Sequence, residues 1–135
     1  MLKPFLQWLA FTLAGFGALG GGYHLYLTQN PTRVLVVLDS SFPMQSDLAR
    51  IRGLLKEIGD KRYADFSLYT EKGIVHGWRA RLNADNFTFY APRDWSRLSS
   101  LQNNSEFSEA THTILITNDL AYSKPPDNWI VVHPK

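Results

Sequence analysis

The chain is 135 residues long, 44% hydrophobic, and carries 14 basic against 12 acidic residues with no cysteine. The lack of cysteine removes disulfides and thiolate chemistry from consideration and fits either an oxidising or a reducing compartment. So even a charge balance gives no footing for binding driven by bulk positive charge, as to nucleic acid.

Between Lys3 and Arg33 there is no Lys, Arg, Asp or Glu, and Phe5 to Leu27 is almost wholly apolar or small. As a helix those positions rise about 34 Å, enough to cross a bilayer core of about 30 Å. Residues 1–4 form a short flank with Pro4 suited to the first turn, 5–27 a spanning helix, and 28–32 a polar linker. Trp8 near one end and Tyr23 and Tyr26 near the other are placed as interfacial aromatics, with His24 at the same interface. Ala10, Ala14, Ala18 and Gly22 recur every fourth residue, a face on which two such helices can pair as a homodimer; small residues are also simply frequent in spanning helices. The rival reading is a cleaved signal peptide, with small residues at Ala18-Leu19-Gly20, although the apolar stretch runs on past that point. Lys3 and the amino terminus are the positive flank, which favours a single-pass anchor with the following domain on the extracytoplasmic, periplasmic side.

Residues 33–135 have the size of one small domain with a single core. Arg33 to Leu38 (RVLVVL) is a continuous apolar run, the pattern of a strand covered on both faces. It stops at Asp39-Ser40-Ser41-Phe42. Pro43 then opens a helix on which Met44, Leu48, Ile51, Leu55 and Ile58 share one face, with Gly59 placed as a left-handed cap. Tyr63 to Thr70 and Gly73 to Trp78 flank Glu71-Lys72 as a β-hairpin, without the usual Asn-Gly turn chemistry. Phe87, Phe89 and Tyr90 alternate as a short strand. Asp94 caps a short helix bearing Trp95, Leu98 and Leu101, and Gln102 to Glu109 reads as a loop. Thr113 to Thr117 and Trp129 to Val132 are two further buried-type strands. The expected fold is α/β, a mainly parallel sheet with helices on both faces.

In such sheets ligands gather beyond the carboxyl ends of the strands, where strand order reverses. Asp39, Ser40, Ser41, Phe42, Asn118, Asp119 and Tyr122 all fall on that rim. Arg79, Arg81, Arg93 and Arg97 with Trp78 and Trp95 between them are the one basic and aromatic set; a solvated face with two core tryptophans accounts for it without a single-strand binding surface.

Val34 to Met44 (VLVVLDSSFPM) resembles the first strand and turn of a von Willebrand factor type A domain, in which the strand ends in Asp-x-Ser-x-Ser and holds a divalent cation. Ala64 to Trp78 is similar to that family's second and antiparallel third strands, and His112 to Asp119 (HTILITND) to its fourth. The resemblance implies a Rossmann-like order of strands and a cation at the rim. Asp39 and Ser41 match the first two metal positions, Pro43 stands at the third without a hydroxyl, and Asn118 matches the fourth-strand acid unless the register shifts to Asp119. What it implies is therefore a weak Mg²⁺ or Mn²⁺ site at Asp39, Ser41 and Asn118, a hard cation needing about six oxygens. The other outcome is no cofactor, with Asp39 capping the helix that opens at Pro43.

His24, His76, His112 and His133 lack the paired spacing of a metal motif. No Gly-x-Ser-x-Gly elbow frames Ser40 or Ser41, and no phosphate-binding glycine loop follows a strand. A receiver-like phosphoacceptor at Asp39 would need further acids and a lysine, for which Lys124 is the candidate. The expected function is a membrane-anchored, non-catalytic module that binds another envelope or membrane protein through its rim. A cation-dependent adhesion domain is the alternative, and a phosphotransfer or hydrolytic enzyme the third.

Overall fold

The computed structural model describes residues 2–83, 85, 87–122, 126 and 128–134, and the chain divides into two compact units, Met1–Pro31 and Thr32–Lys135. In the first, helix α1 runs Leu2–Gln29 with no buried residue. It is long and apolar enough to span a membrane. Thr12 and Thr28 donate their hydroxyls to carbonyls one turn back, so neither leaves a polar group bare on the apolar surface. Asn30 ends the helix by donating both its backbone and side-chain N–H to the Tyr26 carbonyl.

The second unit is built on five strands: β1 (Thr32–Leu38), β2 (Ala64–Thr70), β3 (Gly73–Arg79), β4 (His112–Ile116) and β5 (Trp129–Val132). They lie in the order β3-β2-β1-β4-β5. All neighbours are parallel except the β2–β3 hairpin, so the sheet is mixed and mostly parallel. β1 is central, which is why its apolar run does not alternate: Val34 to Leu38 are all buried. Val34, Val36 and Leu38 face one core with Ile51, Leu55 and Ile58 of helix α2 (Leu48–Gly59). Leu35 and Val37 face the other, with Tyr69, Leu115 and the short helices α3 (Leu98–Leu101) and α4 (Ser105–Glu109). Helices thus cover both faces.

Five local expectations change. Asp94 does not cap α3, which begins at Leu98 after Arg97; it accepts the Ser96 N–H at 2.9 Å in the turn before it. Pro43 opens a 3₁₀ turn, Phe42–Asp47, and the α-helix begins only at Leu48. Gly59 is the last helical residue and not a left-handed cap, since Asp60 after it stays right-handed. Its missing side chain serves close approach instead: a Cβ there would stand 3.1 Å from that of Leu82. Phe87 to Tyr90 pairs with no strand, because Phe87 and Phe89 are drawn onto the α2 core and stack edge-to-face with each other. Part of Gln102 to Glu109 is helical, because Phe107 is recruited to the second core, 5.0 Å from the Tyr69 ring and 5.6 Å from Trp129.

Tyr69 links these layers. Its buried hydroxyl donates to Glu106 Oε2 at 3.0 Å, and burial, reinforced by that carboxylate, pushes its pKa up to about 12. A phenol that ionises later in the folded than in the unfolded chain holds its proton where the unfolded chain has lost it. Tyr69 should therefore add no pH dependence at neutral pH, its contribution being fully present there, and stability should fall between the ordinary value of 10.0 and about 12. Ultraviolet titration of phenolate, with Glu106→Gln bringing the last tyrosine to titrate part of the way back down, checks this.

Candidate functional site

β2 lies on one side of β1 and β4 on the other, so strand order reverses between β1 and β4. Asp39 follows β1 there, its N–H bonded to the Ile116 carbonyl at 3.0 Å, and Thr117, Asn118 and Asp119 follow β4. The topology brings Asp39, Asn118 and Asp119 together at one end of the sheet.

Asp39 is completely buried. Its Oδ1 accepts the Ser41 N–H at 3.1 Å, closing a turn, and its Oδ2 accepts Arg93 Nε and the Thr117 hydroxyl, both at 2.8 Å. It does not cap the helical turn, whose first residues receive no side-chain bond. Arg93 also donates Nη2 to Asn118 Oδ1, and its Nη1 lies 3.8 Å from Asp119 Oδ2. One guanidinium therefore sits among Asp39 and Asn118, two of the three groups expected around a cation, and Asp119, the alternative to Asn118. The Asn118 amide is fixed from its other end by the Pro43 carbonyl and Asp47, at 2.9 and 3.0 Å. Asp119 Oδ2 also accepts the Trp95 indole N–H at 3.1 Å, the main cause holding its carboxyl below the usual range.

Arg93 was not legible as a rim residue, since it lies in a stretch with no periodic pattern. The structure also splits the basic and aromatic set: Arg93 and Trp95 serve the rim, whereas Arg79 ends antiparallel β3 at the opposite end of the sheet. Trp78 and Trp95 are half-buried against the second core, and Trp78 donates to Glu109.

A second cluster adjoins the first. Glu71, in the hairpin turn and 2% exposed, reaches back to accept the Ser40 N–H at 2.7 Å and the Ser40 hydroxyl at 3.1 Å. Lys72 bridges Glu71 at 3.2 Å and Ser40 Oγ at 2.9 Å, donates to the Tyr90 carbonyl, and stands 3.8 Å from the Tyr90 ring centre. A serine beside a lysine suits nucleophilic attack when the amine is free to take a proton and the hydroxyl can reach substrate. Here the ammonium is held by a carboxylate and Ser40 is 1% exposed.

The segment 89–93 is strapped over this end of β1. Tyr90 N–H bonds the Ser40 carbonyl and Phe42 N–H bonds the Ala91 carbonyl, both at 3.1 Å. Ala91 takes φ +82°, a conformation costly for a residue with a side chain. The strap leaves Phe42 and Tyr90 each 55% exposed, and Leu120, next to Asp119, 81% exposed. Tyr122, expected as a contact residue, is instead stacked on Trp95 at 4.5 Å and packed against the second core, because the chain after β4 folds back over that face. Ser41 is buried with its hydroxyl lacking a partner among the described residues, and the same holds for His76 Nε2. Among the described residues no group of three or more His, Asp or Glu is arranged to hold a metal ion. Lys124 lies outside the described residues.

No protein-family model, curated protein or solved structure matches this chain.

Proposed function

We propose that the chain is a membrane-anchored, non-catalytic binding module that docks another membrane or envelope protein against the rim of a small von Willebrand factor type A-like domain. The observation that carries this reading is the internal guanidinium. Arg93 supplies the positive charge at the strand crossover and, with Thr117 and the Ser41 N–H, engages both oxygens of Asp39. A rim wired in this way is held by its own ion pairs, and among the side chains it exposes are three large apolar ones, Phe42, Tyr90 and Leu120. Exposed aromatic and aliphatic anchors on a fixed scaffold are the usual source of binding energy in protein interfaces. The sheet order, with its antiparallel outer hairpin strand, and the Asp39-x-Ser41 turn after β1 support the family likeness. Helix α1 supports the anchor, and the positive amino-terminal flank favours an extracytoplasmic domain.

The alternative, in which Mg²⁺ or Mn²⁺ sits at Asp39, Ser41 and Asn118, rests on the unpartnered Ser41 hydroxyl and requires Arg93 to withdraw. Both readings are tested by photocrosslinking in native membranes, with a benzoylphenylalanine at Phe42 or Leu120 and a control at exposed Ala49. The rim positions should trap one discrete protein that the control does not. Phe42→Asp and Leu120→Lys should each reduce recovery of that protein about 30-fold, as loss of an interface anchor does. Undiminished recovery would exclude the rim as the docking face. Loss of recovery on chelation would move the reading to the cation.

A further inference from the structure

Apart from Arg97, which stands exposed beside Glu71 and Lys72 at the rim, the described cations of this domain fall into two groups. Arg33, Arg50, Lys72 and Arg93 are each paired with a carboxylate. Arg52, Lys56, Lys61, Arg62, Arg79 and Arg81 form no ion pair among the described residues, and all but Lys56 and Arg52 lie in the chain that turns around the amino ends of the strands. Four of them, Arg52, Lys56, Arg62 and Arg81, line one open cleft of about 880 Å³, against two acids, Asp60 and Asp85. The cleft forms where Gly59 lets the end of α2 press against Leu82, so its floor is set by backbone packing while its cations stand in solvent.

The position of this cleft in the sheet suggests what it meets. Arg62 lies two residues before Ala64, which is in register with Thr32, and Thr32 N–H bonds the Tyr63 carbonyl at 2.8 Å. The cleft is therefore at the end of the sheet where the chain enters β1. Only Asn30 and Pro31 separate Thr32 from the last residue of α1, a connection that spans about 10 Å at full extension.

We infer that this cleft docks the domain on the anionic headgroups of the membrane that holds α1, a reading that rests on α1 being a membrane anchor. Unpaired guanidinium and ammonium groups near a bilayer attract acidic lipid, each adding to a field that fades within a Debye length. Guanidinium is also the side chain best shaped to grip a phosphate with two parallel hydrogen bonds. Docking would hold the opposite, apolar rim away from the lipid, facing a partner.

The absence of cysteine lets single probes be introduced cleanly. The full chain carrying a fluorophore at Asn83→Cys in the cleft, Gly15→Cys in α1 or Leu120→Cys at the rim is reconstituted in vesicles containing nitroxide-labelled lipid. One set is phosphatidylcholine alone, the other three parts phosphatidylcholine to one part phosphatidylglycerol. The Gly15 probe should be quenched in both, the Leu120 probe in neither, and the Asn83 probe only where phosphatidylglycerol is present. Arg52→Gln, Lys56→Gln, Arg62→Gln and Arg81→Gln, all at solvent-exposed positions, should each shift the docking equilibrium about fivefold toward release, and raised salt should act in the same sense. Equal Asn83 quenching in both lipids with Gly15 still quenched would overturn the docking inference and leave the anchor standing. An unquenched Gly15 probe would remove the anchor itself. If inorganic phosphate added to the neutral vesicles alters the Asn83 probe as phosphatidylglycerol does, the cleft serves a soluble phosphate and the lipid assignment falls.

Discussion

Arg93→Ala should be the most damaging single substitution outside the hydrophobic core. It strips the guanidinium from a completely buried carboxylate and leaves Asp39 with only the Thr117 hydroxyl and the Ser41 N–H. Removing one partner of a buried ion pair costs about 3–5 kcal/mol, because the remaining charge stays desolvated without compensation. A domain of this size has a total stability of about 5–15 kcal/mol, so the fall in melting temperature should be at least about 12 °C.

Two companion variants separate charge from packing. Arg93→Lys keeps the charge but cannot span Asp39, Asn118 and Asp119 at once, so it should recover only part of the loss. Arg93→Met with Asp39→Asn removes both charges and should be less destabilised than Arg93→Met alone, a coupling that a double-mutant cycle reads directly. A loss below about 1 kcal/mol in Arg93→Ala, the range of an exposed pair, would show that the guanidinium does not hold this rim together.

How much of this was legible in the sequence depends on how local each signal is. β1 and β4 announce themselves because inner parallel strands must be apolar on both faces, edge strand β5 by its short run of Trp, Ile and Val, and α2 because one face of it packs on the sheet. Asp39, Asn118 and Asp119 converge because each directly follows a strand of one parallel pair, so their neighbourhood follows from the topology alone. Arg93 and Glu71 could not be found in that way. Arg93 comes from an irregular strap whose course is set by Phe87 and Phe89 seeking the core and by two backbone bonds to the β1 turn. Tyr122 misled for the opposite reason: next to the rim in sequence, it gains more by stacking on Trp95 than by standing in solvent. The Arg79–Arg97 set does not come together in space, because β3 runs antiparallel and carries Arg79 to the far end of the sheet.

The hairpin turn explains its own odd chemistry. Glu71-Lys72 stands where Asn-Gly would make the tighter turn, and Gly73, with φ +154°, supplies the backbone freedom instead. Both charged residues reach the turn after β1: Glu71 satisfies the buried Ser40 N–H, and Lys72 ties Ser40 and the Tyr90 carbonyl to that carboxylate. Lys72→Met should therefore cost more than Glu71→Gln. The first leaves a buried carboxylate without its cation, about 3–5 kcal/mol, whereas the second keeps an oxygen for the Ser40 N–H and sacrifices only the ion pair, about 1–2 kcal/mol. Glu71→Ala should fall between them, since the Ser40 N–H is then buried without an acceptor while Lys72 retains carbonyl partners. Urea denaturation of the four proteins should give that rank order. If Lys72→Met proved milder than Glu71→Gln, the carboxylate would have to be reached by water, and the two clusters would not form the continuous buried layer that braces the rim.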